Sequence, residues 1–164
     1  MALGDITFYD EGAFGYPGDV EYKVDSSTTL IYAGEPVIKV LGNTTGYVVK
    51  PMADAMPVVG TDSVVGIAAS TSTNTATAVG TVKVTKLVPG ASMLIAPKTP
   101  SSWDTQSEYN ALVGARVTID LTGGSYTLDA SDSATYGCVV LPLDVARNPG
   151  KVRIAFRQGA SYLA

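Results

Sequence analysis

The sequence predicts an all-β fold, mostly antiparallel, closed as a barrel or a β-tulip-like sandwich, with one short helix and an extended N-terminal arm. Three observations predict it. Short apolar runs recur along the chain, and several alternate with polar residues. Gly, Pro, Asn and Asp separate the runs in turn-forming combinations. One stretch alone carries both start and stop signals of a helix. Alternation of period two marks a sheet with one solvated face, and hence antiparallel pairing. Many short strands at even spacing pack as a barrel or sandwich.

Residues 1–28 stand apart from this pattern and are expected to be an arm, with the body at 29–164. The arm holds six acids (Asp5, Asp10, Glu11, Asp19, Glu21, Asp25) against one lysine, Lys23, a net charge near −5. Glycines and Pro17 interrupt it, and its aromatics Phe8, Tyr9, Phe14, Tyr16 and Tyr22 follow no period of 2 or 3.6. A purely solvated tail has no use for aromatic residues, so the arm is expected to dock, on its own body or on a partner. Phe8, Tyr9, Phe14 and Tyr16 are its candidate anchors.

Candidate strands in the body are 36–41, 46–50, 63–69, 81–87, 91–96, 115–121, 125–128, 136–141 and 151–157. Val117, Ile119 and Leu121 fall on one face, with Thr118 and Asp120 opposite. Val152, Ile154 and Phe156 oppose Arg153, Ala155 and Arg157, and Val82 and Val84 oppose Lys83 and Thr85. Gly42-Asn43-Thr44-Thr45-Gly46 and Leu121-Thr122-Gly123-Gly124-Ser125 suit hairpin loops, and Asn148-Pro149-Gly150 a turn before the last strand. The Ser/Thr/Ala-rich stretch 68–80 is expected as a long surface loop or irregular edge, and no sharp internal repeat is visible. The helix is expected near 104–113, with Asp104 as N-cap, Tyr109, Leu112 and Val113 as the apolar stripe, and Gly114 as the C′ residue. Trp103, just before it, reads as a core plug.

Composition limits function. The chain of 164 residues is 46% apolar and 16% charged, with a net charge of −4. That charge gives no general attraction to nucleic acid or to an anionic membrane. No run reaches the length of a membrane span, and Met1-Ala2-Leu3-Gly4-Asp5 lacks the basic and apolar regions of a signal peptide, so the expected setting is cytoplasmic assembly. Basic residues gather at the other end: Arg147, Lys151, Arg153 and Arg157 lie in the last twenty residues, which hold no acid. They are candidate interface residues toward an acidic neighbour. Acidic head and basic tail can pair within one chain, between subunits or with a partner.

The chain has no histidine and one cysteine. Ser-His-Asp and Cys-His catalysis, His-bearing zinc sites and the usual neutral-pH proton shuttle are therefore out. Cys138 sits in Gly137-Cys138-Val139-Val140-Leu141 and is expected to be a buried, inert thiol. Neither Cys-x-x-Cys nor a glycine-rich phosphate loop is present. Asp129 and Asp132, in Leu128-Asp129-Ala130-Ser131-Asp132-Ser133, have oxygen-rich neighbours, which Asx turns explain as well as an ion. No catalytic residue, cofactor or metal is assigned, and the chain is expected not to be an enzyme.

Four stretches carry a family likeness. Ala33-Gly34-Glu35-Pro36-Val37, Val64-Val65-Gly66-Ile67-Ala68, Gly90-Ala91-Ser92-Met93-Leu94-Ile95 and the closing run from Ala146 to Phe156 together resemble the head decoration, or cement, proteins of tailed bacteriophages. The stretch from Trp103 to Val117 is also similar, and the likeness covers roughly residues 28–158. Its motifs are strand and turn patterns without a chemical signature. The resemblance implies a virion protein on the outer surface of the capsid, bound to the major capsid protein, commonly as a homotrimer. It also implies an N-terminal arm that reaches onto the shell. The long arm and the helix-bearing 97–114 insertion depart from smaller members. Alternative readings are another virion component such as a tail or fibre module, a carbohydrate-binding β-domain, and a hydrolase using carboxylates alone.

Overall fold

The computed structural model of the chain describes residues 6–10, 18–24, 30–39, 48–52, 64–88, 90–131 and 137–157. Among the described residues eleven strands are present: β1 (Thr7–Asp10), β2 (Asp19–Val24), β3 (Pro36–Lys39), β4 (Val48–Pro51), β5 (Val64–Ala68), β6 (Thr81–Lys86), β7 (Ser92–Ile95), β8 (Arg116–Thr122), β9 (Ser125–Asp129), β10 (Cys138–Val140) and β11 (Val152–Phe156). One α-helix, α1 (Gln106–Leu112), follows a 3₁₀ turn at Pro100–Ser102. All nine strands expected in the body are found, most of them trimmed by a residue or two at an end. No helix among the described residues is long and apolar enough to cross a membrane.

The strands form a closed five-stranded barrel, β2-β4-β3-β5-β6, and a six-stranded sheet, β1-β7-β11-β10-β8-β9. A ring of five strands cannot alternate direction all the way round, so one pair must be parallel. In the barrel that pair is β2 with β4, Lys23 opposite Val48 and Val24 opposite Val49. The larger sheet meets the same constraint. It curls until β9 reaches the chain just past β7, where Pro97 and Leu128 form a parallel bridge. Leu128 N–H donates to the Ala96 carbonyl and Lys98 N–H to the Leu128 carbonyl, both at 2.9 Å.

The two halves share one topology. In residues 19–86 the first strand pairs in parallel with the third, the third with the second, the second with the fourth, the fourth with the fifth and the fifth with the first. Residues 92–156 repeat the four antiparallel pairings, and the isolated parallel bridge Pro97–Leu128, just past β7, stands where the first unit has its parallel pair. The last strands also match in sequence: Gly80-Thr81-Val82-Lys83-Val84 corresponds to Gly150-Lys151-Val152-Arg153-Ile154. The chain therefore contains a structural repeat, hidden from the sequence by low residue similarity and by the helical insertion between β7 and β8.

The apolar faces turn inward as expected, while Thr118 and Thr85, expected on solvated faces, are buried too. Val117, Ile119, Val152 and Ile154 are fully buried in the main core, joined by Tyr109, Tyr126, Leu128, Met93, Ile95 and Cys138. Val24, Ile31, Val37, Val49, Val65, Val82 and Val84 fill a second core with Tyr22 and Ala68, drawn from the first unit. Ile38, Met52, Val64, Ile67 and Leu87, also of the first unit, pack into the main core instead, which joins the units. A buried hydrogen bond from Tyr126 Oη to the Met52 carbonyl, at 2.6 Å, crosses the same seam.

The head docks on its own body, one of the two alternatives expected for it: residues 7–10 and 19–24 are strands of the two sheets, and Ile6 and Tyr22 are buried on this same chain. Several expectations are corrected. The helix starts after Thr105 rather than Asp104. Thr105 accepts from the Glu108 N–H and Glu108 reaches back to the Thr105 N–H, a reciprocal capping box that Asp104 cannot form. Val113 lies beyond the last helical residue and is exposed, so the buried stripe is Tyr109 with Leu112 packed beside it. The stretch 68–80 is not simply a surface loop. Ser72 and Asn74 are buried, bonded to each other at 2.5 Å, and Ile31 N–H donates to Ser72 Oγ. The hairpin at Gly123-Gly124 has both residues at positive φ, 61° and 86°, the primed turn that glycine permits between twisted strands. The expected hairpin loop at 42–46 lies outside the described residues.

Candidate functional site

Tyr9 and Arg153, proposed independently from head and tail, meet on the outer face of the six-stranded sheet. The carbon at the centre of the Arg153 guanidinium lies 4.5 Å from the Tyr9 ring centroid. The pairing follows from register: β1 pairs with β7 and β7 with β11, placing Thr7, Leu94 and Arg153 in one row. A register shift between Phe8 and Asp10 gives the strand an extra residue at Tyr9, which is 45% exposed. A bulge of this kind re-aims a side chain out of the ladder.

Arg153 is held from several sides. Its Nε donates to Ser92 Oγ at 2.9 Å, and Nη1 reaches the Pro142 carbonyl at 3.4 Å. Its backbone N–H donates to Tyr109 Oη at 3.0 Å, and that hydroxyl donates onward to the Leu141 carbonyl at 2.9 Å. Tyr109 itself is fully buried, packed edge-on against Trp103 at 5.7 Å between centroids, and desolvation by burial raises its phenol above the ordinary range. The helix thus fixes the position of β11, and β11 fixes the guanidinium beneath Tyr9. A cation over an aromatic face at a partly exposed site contributes roughly 0.5–1 kcal/mol.

The other candidates separate. Phe8 faces Met93 and is partly buried against the main core, so it is a packing residue and not a free anchor. Phe14 and Tyr16 lie outside the described residues. Arg153 lies on β11 between the buried Val152 and Ile154, Lys151 and Arg157 flank the strand at its two ends, and all three basic residues are half-buried. Arg147 sits in the preceding loop, 85% exposed at its side chain, with Nε 3.4 Å from the Asp144 carboxylate. The basic tail is therefore a row along one strand plus a loop residue. Ser92 and Tyr109 were not legible as part of this site. The partners of the Tyr109 hydroxyl are backbone groups 32 and 44 residues away.

Asp129 accepts from Lys98 Nζ at 2.8 Å and from Ser131, whose N–H and hydroxyl close an Asx turn. Asp120 takes the same ammonium. The Lys98 hydrogen bond is the main cause that pushes the Asp129 carboxyl down to about 2. Asp132 lies outside the described residues, and among those described no group of three or more His, Cys, Asp or Glu is placed to hold a metal. Cys138 is fully buried, and desolvation raises its thiol far above the ordinary range, as expected of an inert cysteine. A groove of about 550 Å³ runs between β1 and the first unit, lined by Ile6, Phe8, Ala33, Ile67, Ala68 and Ala69 among others. None of its lining side chains among the described residues is titratable. A second hollow of about 360 Å³ between the helix start and the 144–150 loop contains one, Asp104.

No protein-family model, no curated protein and no solved structure matches the chain.

Proposed function

We propose that this chain is a capsid decoration protein of a tailed bacteriophage. It binds the major capsid protein on the outer surface of the head as a homotrimer and acts by contact rather than catalysis. The observation that carries this reading is the Tyr9–Arg153 pair, an exposed aromatic seated on a braced guanidinium at the surface of a packed sheet. Tyr and Arg are the residue types that dominate binding energy at interfaces. A ring already held in place loses less freedom when a partner covers it. Lys151 and Arg157, at the two ends of β11, extend the surface with positive charge toward an acidic neighbour.

The mechanism is additive. A shell filled with DNA fails where capsomers separate, and a protein touching two of them must be released first. An interface of about 1,600 Å² with a few good anchors is enough for tight binding. Joining three copies raises the apparent affinity through effective concentration.

The test is binding to purified heads that lack the protein. Tyr9→Ala is expected to weaken binding at least tenfold, a loss of about 1.4 kcal/mol, while Tyr9→Phe retains most of it. Wild-type affinity in Tyr9→Ala would overturn the assignment of this face, and failure of the wild-type chain to bind any head would overturn the function.

A further inference from the structure

β1 lies outside the five-stranded barrel and forms one edge of the six-stranded sheet. The first unit closes without it, and in the second it is an extra strand on the outer side of β7. It precedes the first unit in sequence yet pairs with the second, Thr7 opposite Leu94 and Phe8 opposite Met93. It is four residues long and carries an irregularity in its register. The groove of about 550 Å³ separates it from the unit that follows it in the chain. Residues 11–18, which lead from β1 to β2, include Gly12, Gly15, Pro17 and Gly18. Eight residues span at most roughly 27 Å when extended.

We propose that β1 is exchanged between copies of this chain, so that β1 of one molecule pairs with β7 of a second. The partner surface is the one already observed within a single chain. Ile6 is 2% exposed, Phe8 lies against the main core and Tyr9 covers Arg153, and each contact is available unchanged from another copy. Exchange of an identical element converts internal contacts into intermolecular ones without requiring a new surface. The barrel and the β7-β11-β10-β8-β9 part of the sheet keep their strand pairings while β1, an edge strand, is in transit, so the body need not unfold. The acidic head then docks on the basic tail of a neighbour, and copies are linked head to tail or reciprocally. This inference rests on the β1–β7 pairing and not on the capsid reading, and its test needs no capsid.

The test is a disulfide trap in the double variant Thr7→Cys, Leu94→Cys. Residues directly opposite in an antiparallel pair have Cα atoms about 4.5–5.5 Å apart, within disulfide range. Cys138 is fully buried and stays out of the reaction. After oxidation at rising protein concentration, denaturing electrophoresis without reductant is expected to show covalent dimers and larger species. Their share grows with concentration and vanishes on reduction. Monomer with an internal disulfide at every concentration would overturn the proposal. If the double variant fails to fold, sedimentation of the full chain against one lacking residues 1–10 decides the matter. Concentration-dependent multimers in the full chain alone support exchange, and equal masses for the two chains refute it.

Discussion

Two hydroxyls show how a single buried group tells against its own position. Thr118 is fully buried and its Oγ1 has no hydrogen-bond partner, and the Thr127 hydroxyl is in the same state. A buried, unsatisfied polar group costs roughly 1–3 kcal/mol. Thr118→Val keeps the shape and removes the hydroxyl, so the variant is expected to be about 1 kcal/mol more stable. Equilibrium unfolding in urea checks this through a higher midpoint at unchanged slope. Gly66 is the opposite case. A Cβ built there would lie 2.1 Å from the Thr85 carbonyl oxygen, because β5 and β6 approach closely at that point. Gly66→Ala is expected to destabilise by about 1–3 kcal/mol, the range of overpacked substitutions, read by the same unfolding experiment. Neither effect was legible in the sequence. Thr118 reads there as a polar residue on a wet face, and burial of that face depends on what packs over it.

At the scale of elements, the alternating strands were legible because a period of two needs only local residues. Val152, Ile154 and Phe156 point inward as their spacing predicts, Val152 and Ile154 fully buried and Phe156 partly. The head was not legible as two strands. Its aromatics follow no period, and β1 is held by residues of β7 more than eighty positions away. The curl of the larger sheet was equally hidden, since it brings Pro97 and Leu128 together in a parallel bridge. Lys98 fastens that contact through Asp129 and Asp120. Asp129 has its carboxyl lowered to about 2 in the folded chain, chiefly by the Lys98 hydrogen bond. Unfolded, an aspartate titrates near about 3.9. The folded state therefore binds its proton later, and the stabilisation is present above about pH 4 and lost as pH falls toward about 2. Lys98→Met is expected to show a smaller loss of thermal midpoint between pH 4 and pH 2 than the native chain. Parallel curves for the two proteins would show that the latch contributes nothing.

At the scale of the whole molecule, two units of one topology share a packed seam and carry one additional strand. The repeat explains why a chain of 164 residues with many short strands forms a five-stranded barrel and a separate curled sheet rather than one large barrel. It also gives the proposed function a physical form. The closed barrel and the sheet packed against it supply the body, and the row of β1, β7 and β11 displays Tyr9, Arg153 and the charged side of the last strand on one face. The sequence pointed to Tyr9 and Arg153 separately through aromatic content and charge. Their meeting required the strand order of the sheet, which no local pattern contains. The most direct measurement of the central claim is a cryo-EM reconstruction of phage heads decorated with this chain. The account predicts density on the outer shell at junctions between capsomers, with the Tyr9–Arg153 face against the capsid. Density confined to the tail, or that face turned away from the shell toward solvent, would contradict it.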